Sequence, residues 1–144
     1  MTNSDPYDLQ RFIDAQRASY TRAVDELKAG RKQSHWMWYI FPQTQGLGRS
    51  AMAQKYAIAS LDEAKAYLDH PILGLRLREC TRLVIAMKGS PIEDILPYPD
   101  VLKFHSSMTL FAHAAADNQI FLDALKNFFR AEFDSATLAR ARRF

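Results

Sequence analysis

Ser34-His35-Trp36-Met37-Trp38-Tyr39-Ile40-Phe41-Pro42-Gln43 holds both tryptophans of the chain, and its reading decides between an all-helical fold and a mixed one. From His35 to Phe41 the run is almost wholly apolar, and periodicity alone fits a short buried strand or a buried helix. The surroundings favour helix, because nothing elsewhere alternates with period two for long enough to demand a sheet. The expected fold is therefore all-α: one compact multi-helix domain spanning residues 1–144, with about seven to eight helices including short ones.

Upstream, Leu9, Phe12, Ile13, Gln16, Tyr20, Val24 and Leu27 recur at threes and fours. This spacing predicts one long first helix, opened by Asp5-Pro6 and closed by Gly30. Downstream, Ser60-Leu61-Asp62-Glu63 and Ser90-Pro91-Ile92-Glu93 have capping-box spacing, in which serine and glutamate each satisfy a free N–H at a helix start. His70-Pro71 restarts the chain, and Ile72, Leu73, Arg76, Cys80, Leu83, Val84 and Met87 mark one face until Gly89. Pro97-Tyr98-Pro99 is a rigid break. Asp100, Asn118 and Asp134 are the expected caps of the last three helices.

Composition narrows the function classes. The chain is 48% hydrophobic and 24% charged, as for an ordinary globular domain. Nineteen Lys+Arg against sixteen Asp+Glu leave only +3. The cations are scattered, with clusters at Lys28/Arg31/Lys32 and Arg140/Arg142/Arg143, and form no stripe of the kind that reads nucleic acid. Cys80 is the single cysteine, so no intramolecular disulfide forms, and no Cys/His spacing resembles a metal site. No metal and no cofactor are expected. No apolar run approaches the length of a membrane span and the N-terminus has no leader character, so the expected location is cytoplasmic, with no membrane partner. The sequence leaves the oligomeric state open.

Three segments carry candidate chemistry. In a helix, His35, Trp38 and Tyr39 would share one side, and Trp36 or Trp38 could either fill the core or stack on an aromatic base or sugar face. After Gln43, the loop Thr44-Gln45-Gly46-Leu47-Gly48-Arg49-Ser50 has glycines that free the backbone for close approach, and Ser50 opens a helix whose N–H groups would suit an anion. It lacks the lysine and spacing of a P-loop. Further on, Lys103, Ser106 and Ser107 fall on one helix face opposite Phe104, Met108 and Phe111. Hydroxyls of Ser106, Ser107 and Thr109 inside a helix either bond back to the backbone or point at something. A nucleophilic Ser106 or Ser107 would need a base, for which His35, His105 and His113 are the candidates.

These segments, in order, resemble the DUF1810 family, a small bacterial family of unknown function. The resemblance runs from Arg11-Phe12-Ile13-Asp14-Ala15-Gln16 through Gly30-Arg31-Lys32, His35-Trp36-Met37-Trp38, Phe41-Pro42-Gln43 and Gly46-Leu47-Gly48 to Ser50. It continues over Tyr56-Ala57-Ile58, Glu63-Ala64, Tyr67-Leu68, Arg76-Leu77, Asp100, Lys103 and Ser106-Ser107-Met108-Thr109-Leu110-Phe111. Pro97, which stands where the family has glycine, and Ala131, which stands near another expected glycine, depart from it, both in loops. It implies a single all-α domain without an established reaction. A link of the family to ADP-ribose or NAD metabolism is implied by the resemblance alone. The label calpastatin, attached to some members, does not suit this chain, which lacks that inhibitor's disordered, charge-rich character.

The expected function is a small-ligand site for an anionic, nucleotide- or ADP-ribose-like molecule, with the reaction undefined. Its ligand-binding candidates are Gln16, Lys32, His35, Trp36, Trp38, Gln43, Ser50, Lys103, Ser106, Ser107 and Thr109, and its catalytic candidates are His35, Ser106 and Ser107. The alternative is a non-catalytic protein-interaction module whose aromatics are core.

Overall fold

The computed structural model describes residues 5–141. Arg142 and Arg143 of the C-terminal cation cluster, and Met1 to Ser4, lie outside the described residues. Among the described residues ten helices follow in order: α1 Gln10–Arg17, α2 Tyr20–Lys28, α3 Met37–Ile40, α4 Ala51–Lys55 and α5 Leu61–Asp69, then α6 Leu73–Ile85, α7 Ile92–Ile95, α8 Asp100–Ala114, α9 Gln119–Phe129 and α10 Ser135–Ala141. Among the described residues there is no strand, only an isolated parallel bridge between Thr44 and Ile58. The fold is all-α, as expected, with more and shorter helices than the spacing suggests.

α8 is the axis of the domain. Ten of its residues are buried, on all sides of the helix, which is the pattern of a helix surrounded by others. α5, α9, α10 and α3 pack around it, α6 closes the gap between α5 and α9, and α2 lies on α6. Edge-on aromatic contacts link the layers: Phe41 to Phe104 with centroids 5.0 Å apart, and Phe12 to Tyr67 at 5.0 Å. Each such buried ring contributes about 2–3 kcal/mol by area.

The predicted first helix is two helices. Ser19 starts α2 and donates its hydroxyl to the Ala15 carbonyl, so the buried positions run Phe12 and Gln16, then Ala23 and Leu27. Asp5 still ties the N-terminus, accepting the N–H groups of Leu9 and Gln10. On α6 the buried face is Leu73, Leu77, Cys80 and Val84, and Ile72 is exposed.

Capping is mixed. Ser60 accepts Glu63 N–H as predicted, but Glu63 reaches Ala59 N–H, and its other oxygen pairs with Arg11 at 2.9 Å. Arg11 also donates to four carbonyls, of Tyr7, Asp8, Lys55 and Ala57, stapling the N-terminal segment to the α4–α5 connection. The Ser90 box does not form: α7 is a single turn without a side-chain cap. Asn118 does not cap α9 with its side chain, which donates to the Ala112 carbonyl. Asp134 does cap α10, through Thr137 N–H at 3.0 Å. Arg130 and Ala131, near the second glycine that the resemblance expects, sit with φ +55 and +63, the left-handed region that glycine adopts most cheaply.

Candidate functional site

The run from Ser34 is helical only for the turn of α3. Trp36 is its N-cap, so His35 lies before the helix and shares no face with Trp38. The two tryptophans part company. Trp36 is fully buried and donates its indole N–H to Glu26 at 3.0 Å, whereas Trp38 is half-buried and reaches an open cleft.

That cleft, about 560 Å³, lies where α3 and the Gln43–Ala53 segment meet the start of α8 and the start of α10. Trp38, Leu47, Pro99 and Leu102 give it apolar walls. Gln43, Arg49, Lys103, Ser106 and Asp134 give it polar ones, with Ser50 at the edge of α4. Five of the sequence candidates therefore share one cavity: Trp38, Gln43, Ser50, Lys103 and Ser106.

Lys103 stands on the first turn of α8 with its ammonium 4.6 Å over the Trp38 ring and 3.4 Å from Asp100. Asp100 was expected to cap α8. Instead it is the first residue of the helix, and its carboxylate is shared between Lys103 and the buried Lys32, the latter at 2.8 Å. One carboxylate thus serves two ammonium groups and leaves a net positive charge, part of it directed at the cleft. The Gln43 carboxamide makes no hydrogen bond with the described residues, although its backbone carbonyl accepts Ile58 N–H.

The remaining candidates do not line the cleft. Gln16 is buried and spent: its amide donates to the Tyr39 carbonyl and the Tyr67 hydroxyl, and its oxygen accepts from Arg76. Lys32 is buried against Trp36 and acts on the cleft only through Asp100. His35 is exposed and outside the cleft lining. Ser107 is fully buried with its hydroxyl unpartnered, and Thr109 donates to the His105 carbonyl while accepting Asp134 N–H.

The loop glycines also serve the chain itself. A side chain at Gly46 would meet the Arg140 guanidinium 2.7 Å away, and one at Gly48 would meet Ala53 at 2.5 Å. Close approach here is to the protein's own atoms. Ser50 spends its hydroxyl on Ala53 N–H, and α4 is only five residues long.

No histidine among the described residues serves Ser106. His105 is stacked on Phe129 and bonded to the Glu132 carbonyl, and His113 bonds the Thr109 carbonyl. Ser106 instead donates to the Leu102 carbonyl and to Asp134. Cys80 is no substitute nucleophile, since burial pushes its thiol up to about 12. Sequence reasoning missed Arg49 and gave Asp134 only a capping role. Arg49 could have been flagged as the cation beside the glycine loop, whereas nothing local to Asp134 announces the cleft.

The sequence profile described as "Protein of unknown function (DUF1810)" matches residues 6–141. The chain belongs to the DUF1810 family. Within solved structures, this DUF1810 chain is similar to the conserved hypothetical protein Rv1873 from Mycobacterium tuberculosis, at 51% identity and a TM-score of 0.94, over 96% of this chain and 99% of that one. No curated protein matches it.

Proposed function

We propose that the Trp38–Lys103 cleft binds a small anionic ligand, with phosphate esters of the nucleotide or ADP-ribose kind as the first class to test. The observation that supports this is the meeting of a carboxamide unspent among the described residues, Gln43, with a cation whose acidic partner there, Asp100, is shared, Lys103, in one open cavity. An ammonium placed so carries surplus charge where a ligand can reach it, and an amide can donate and accept. Trp36 takes no part, and the Lys103 ammonium covers one face of Trp38, so recognition is by charge and hydrogen bonding more than by stacking.

The test is a thermal-shift screen of phosphate-bearing compounds, including ADP-ribose and NAD, followed by titration of wild type and Lys103→Ala. A charge-assisted contact makes the expected loss about ten- to hundredfold in affinity. The fold should lose no more than about 1 kcal/mol, because the ion pair of Lys103 is long and Asp100 keeps Lys32 as a partner. Equal binding by the variant contradicts the reading.

One observation favours the interaction module as the second reading. Leu102 of the cleft lining is 53% exposed, and Tyr98, next to the lining residue Pro99, is 74% exposed, apolar surface that a protein partner could cover. That reading gains if no anion stabilises the protein.

A further inference from the structure

Asp134 brings a carboxylate to a cleft whose other charged lining residues, Lys103 and Arg49, are cations. Its two oxygens are in different states. Oδ2 accepts from Ser106 Oγ at 3.3 Å, Thr137 N–H at 3.0 Å and Thr137 Oγ1 at 2.5 Å, while the Asp134 N–H donates to Thr109 Oγ1 at 2.9 Å. These contacts from α8 and α10 fix the plane of the group. Oδ1 takes no hydrogen bond from the described residues. It is not among the buried side-chain polar atoms left without partners there, which are Thr44 Oγ1 and Ser107 Oγ.

A fixed carboxylate oxygen without a donor from the described residues requires one from whatever ligand covers it, or covering it costs a lost hydrogen bond. A bare inorganic anion with few protons to donate would be repelled by it. A ligand that puts its anionic group on Lys103 and a hydroxyl on Oδ1 satisfies both. Two cations against one carboxylate leave the lining net positive, which favours a net anion over a zwitterion. The aromatic surface is already committed, with Trp36 buried and Trp38 under the ammonium.

We infer that Asp134 is the specificity-determining acceptor of the cleft, and that the ligand class it selects is a phosphorylated sugar or polyol. The inference rests on the anion-site reading above. Asp134→Asn is the informative variant. Asparagine caps a helix as well as aspartate does, so its oxygen can keep the Thr137 contact while its NH2 replaces the free acceptor with a donor.

Calorimetric titration of wild type and Asp134→Asn with ribose 5-phosphate and with inorganic phosphate tests it. Wild type should bind ribose 5-phosphate about tenfold or more tighter than inorganic phosphate, and the variant should lose that margin while holding inorganic phosphate equally or better. The wild-type comparison stands even if the variant folds poorly. If ribose 5-phosphate binds no tighter than phosphate, or binds the variant undiminished, Asp134 is not the acceptor although the anion site stands. An amino acid zwitterion binding as tightly as the sugar phosphate also overturns the assignment. If neither phosphate compound binds wild type, both readings fall together.

Discussion

Glu26 gathers the loop that leads into the tryptophans, accepting N–H from Gln33 and Ser34, O–H from Ser34 and the indole N–H of Trp36. Burial opposes its charge, but the donors from Ser34, Gln33 and Trp36 outweigh burial and hold the carboxyl down to about 2. A carboxyl lowered in the fold stabilises fully above its ordinary value of 4.5, and that contribution is lost as pH falls toward about 2. Glu26→Gln should therefore cost about 1–2 kcal/mol at neutral pH, a figure discounted for partial solvation. The gap in melting temperature between wild type and variant should close as pH is lowered through that window. A gap independent of pH would show that the carboxylate charge is not what anchors the loop. Nothing in the sequence marks this role, because Glu26 reads as one more polar residue on an amphipathic helix.

Local signals were legible and distant ones were not, and single elements show why. The Ser60 and Asp134 caps are contacts between residues three apart, so the motif contains its own partner. Asp100 has the same local look, yet Lys32 from far upstream captures it. The face shared by Lys103 and Ser106 follows from helical spacing within α8, which is why both reach the cleft. His35 was misplaced because its proposed company with Trp38 assumed a helix that begins two residues later, at Met37. Helix contacts also rest on details that hydrophobic patterning does not carry. Gly74 lets α6 start against α5: a Cβ there would lie 1.9 Å from the Leu68 carbonyl oxygen. Gly74→Ala should cost about 3 kcal/mol or more, whereas Gly89→Ala, with no atom within 4 Å of the added carbon, should change stability by no more than about 0.5 kcal/mol. Denaturant titration of the two variants checks the contrast, and similar costs would mean that the α5–α6 approach is looser than described.

At the scale of the molecule, the all-α class follows from patterning, while the cleft arises where four parts of the chain meet. Gln43, Arg49, Lys103 and Asp134 acquire a joint meaning only when α10 folds back on α8. No helix among the described residues is long and apolar enough to cross a membrane. Among those residues no three of His, Cys, Asp and Glu converge as metal ligands. We predict from the sequence, in which no Cys/His spacing resembles a metal site, that the fold needs no metal. Adding EDTA should leave the melting temperature unchanged, and a collapse on chelation would require a metal that this reading does not include.

The most direct test of the anion cleft uses its two tryptophans, one on each side of the distinction. In a proton–nitrogen correlation experiment on labelled protein titrated with ribose 5-phosphate, the Trp38 indole and Gln43 carboxamide signals should shift saturably, while the Trp36 indole, held by Glu26, stays in place. Saturable shifts confined instead to the open groove at Arg78, Arg82 and Lys88, or a titration that moves neither Trp38 nor Gln43, would contradict the account.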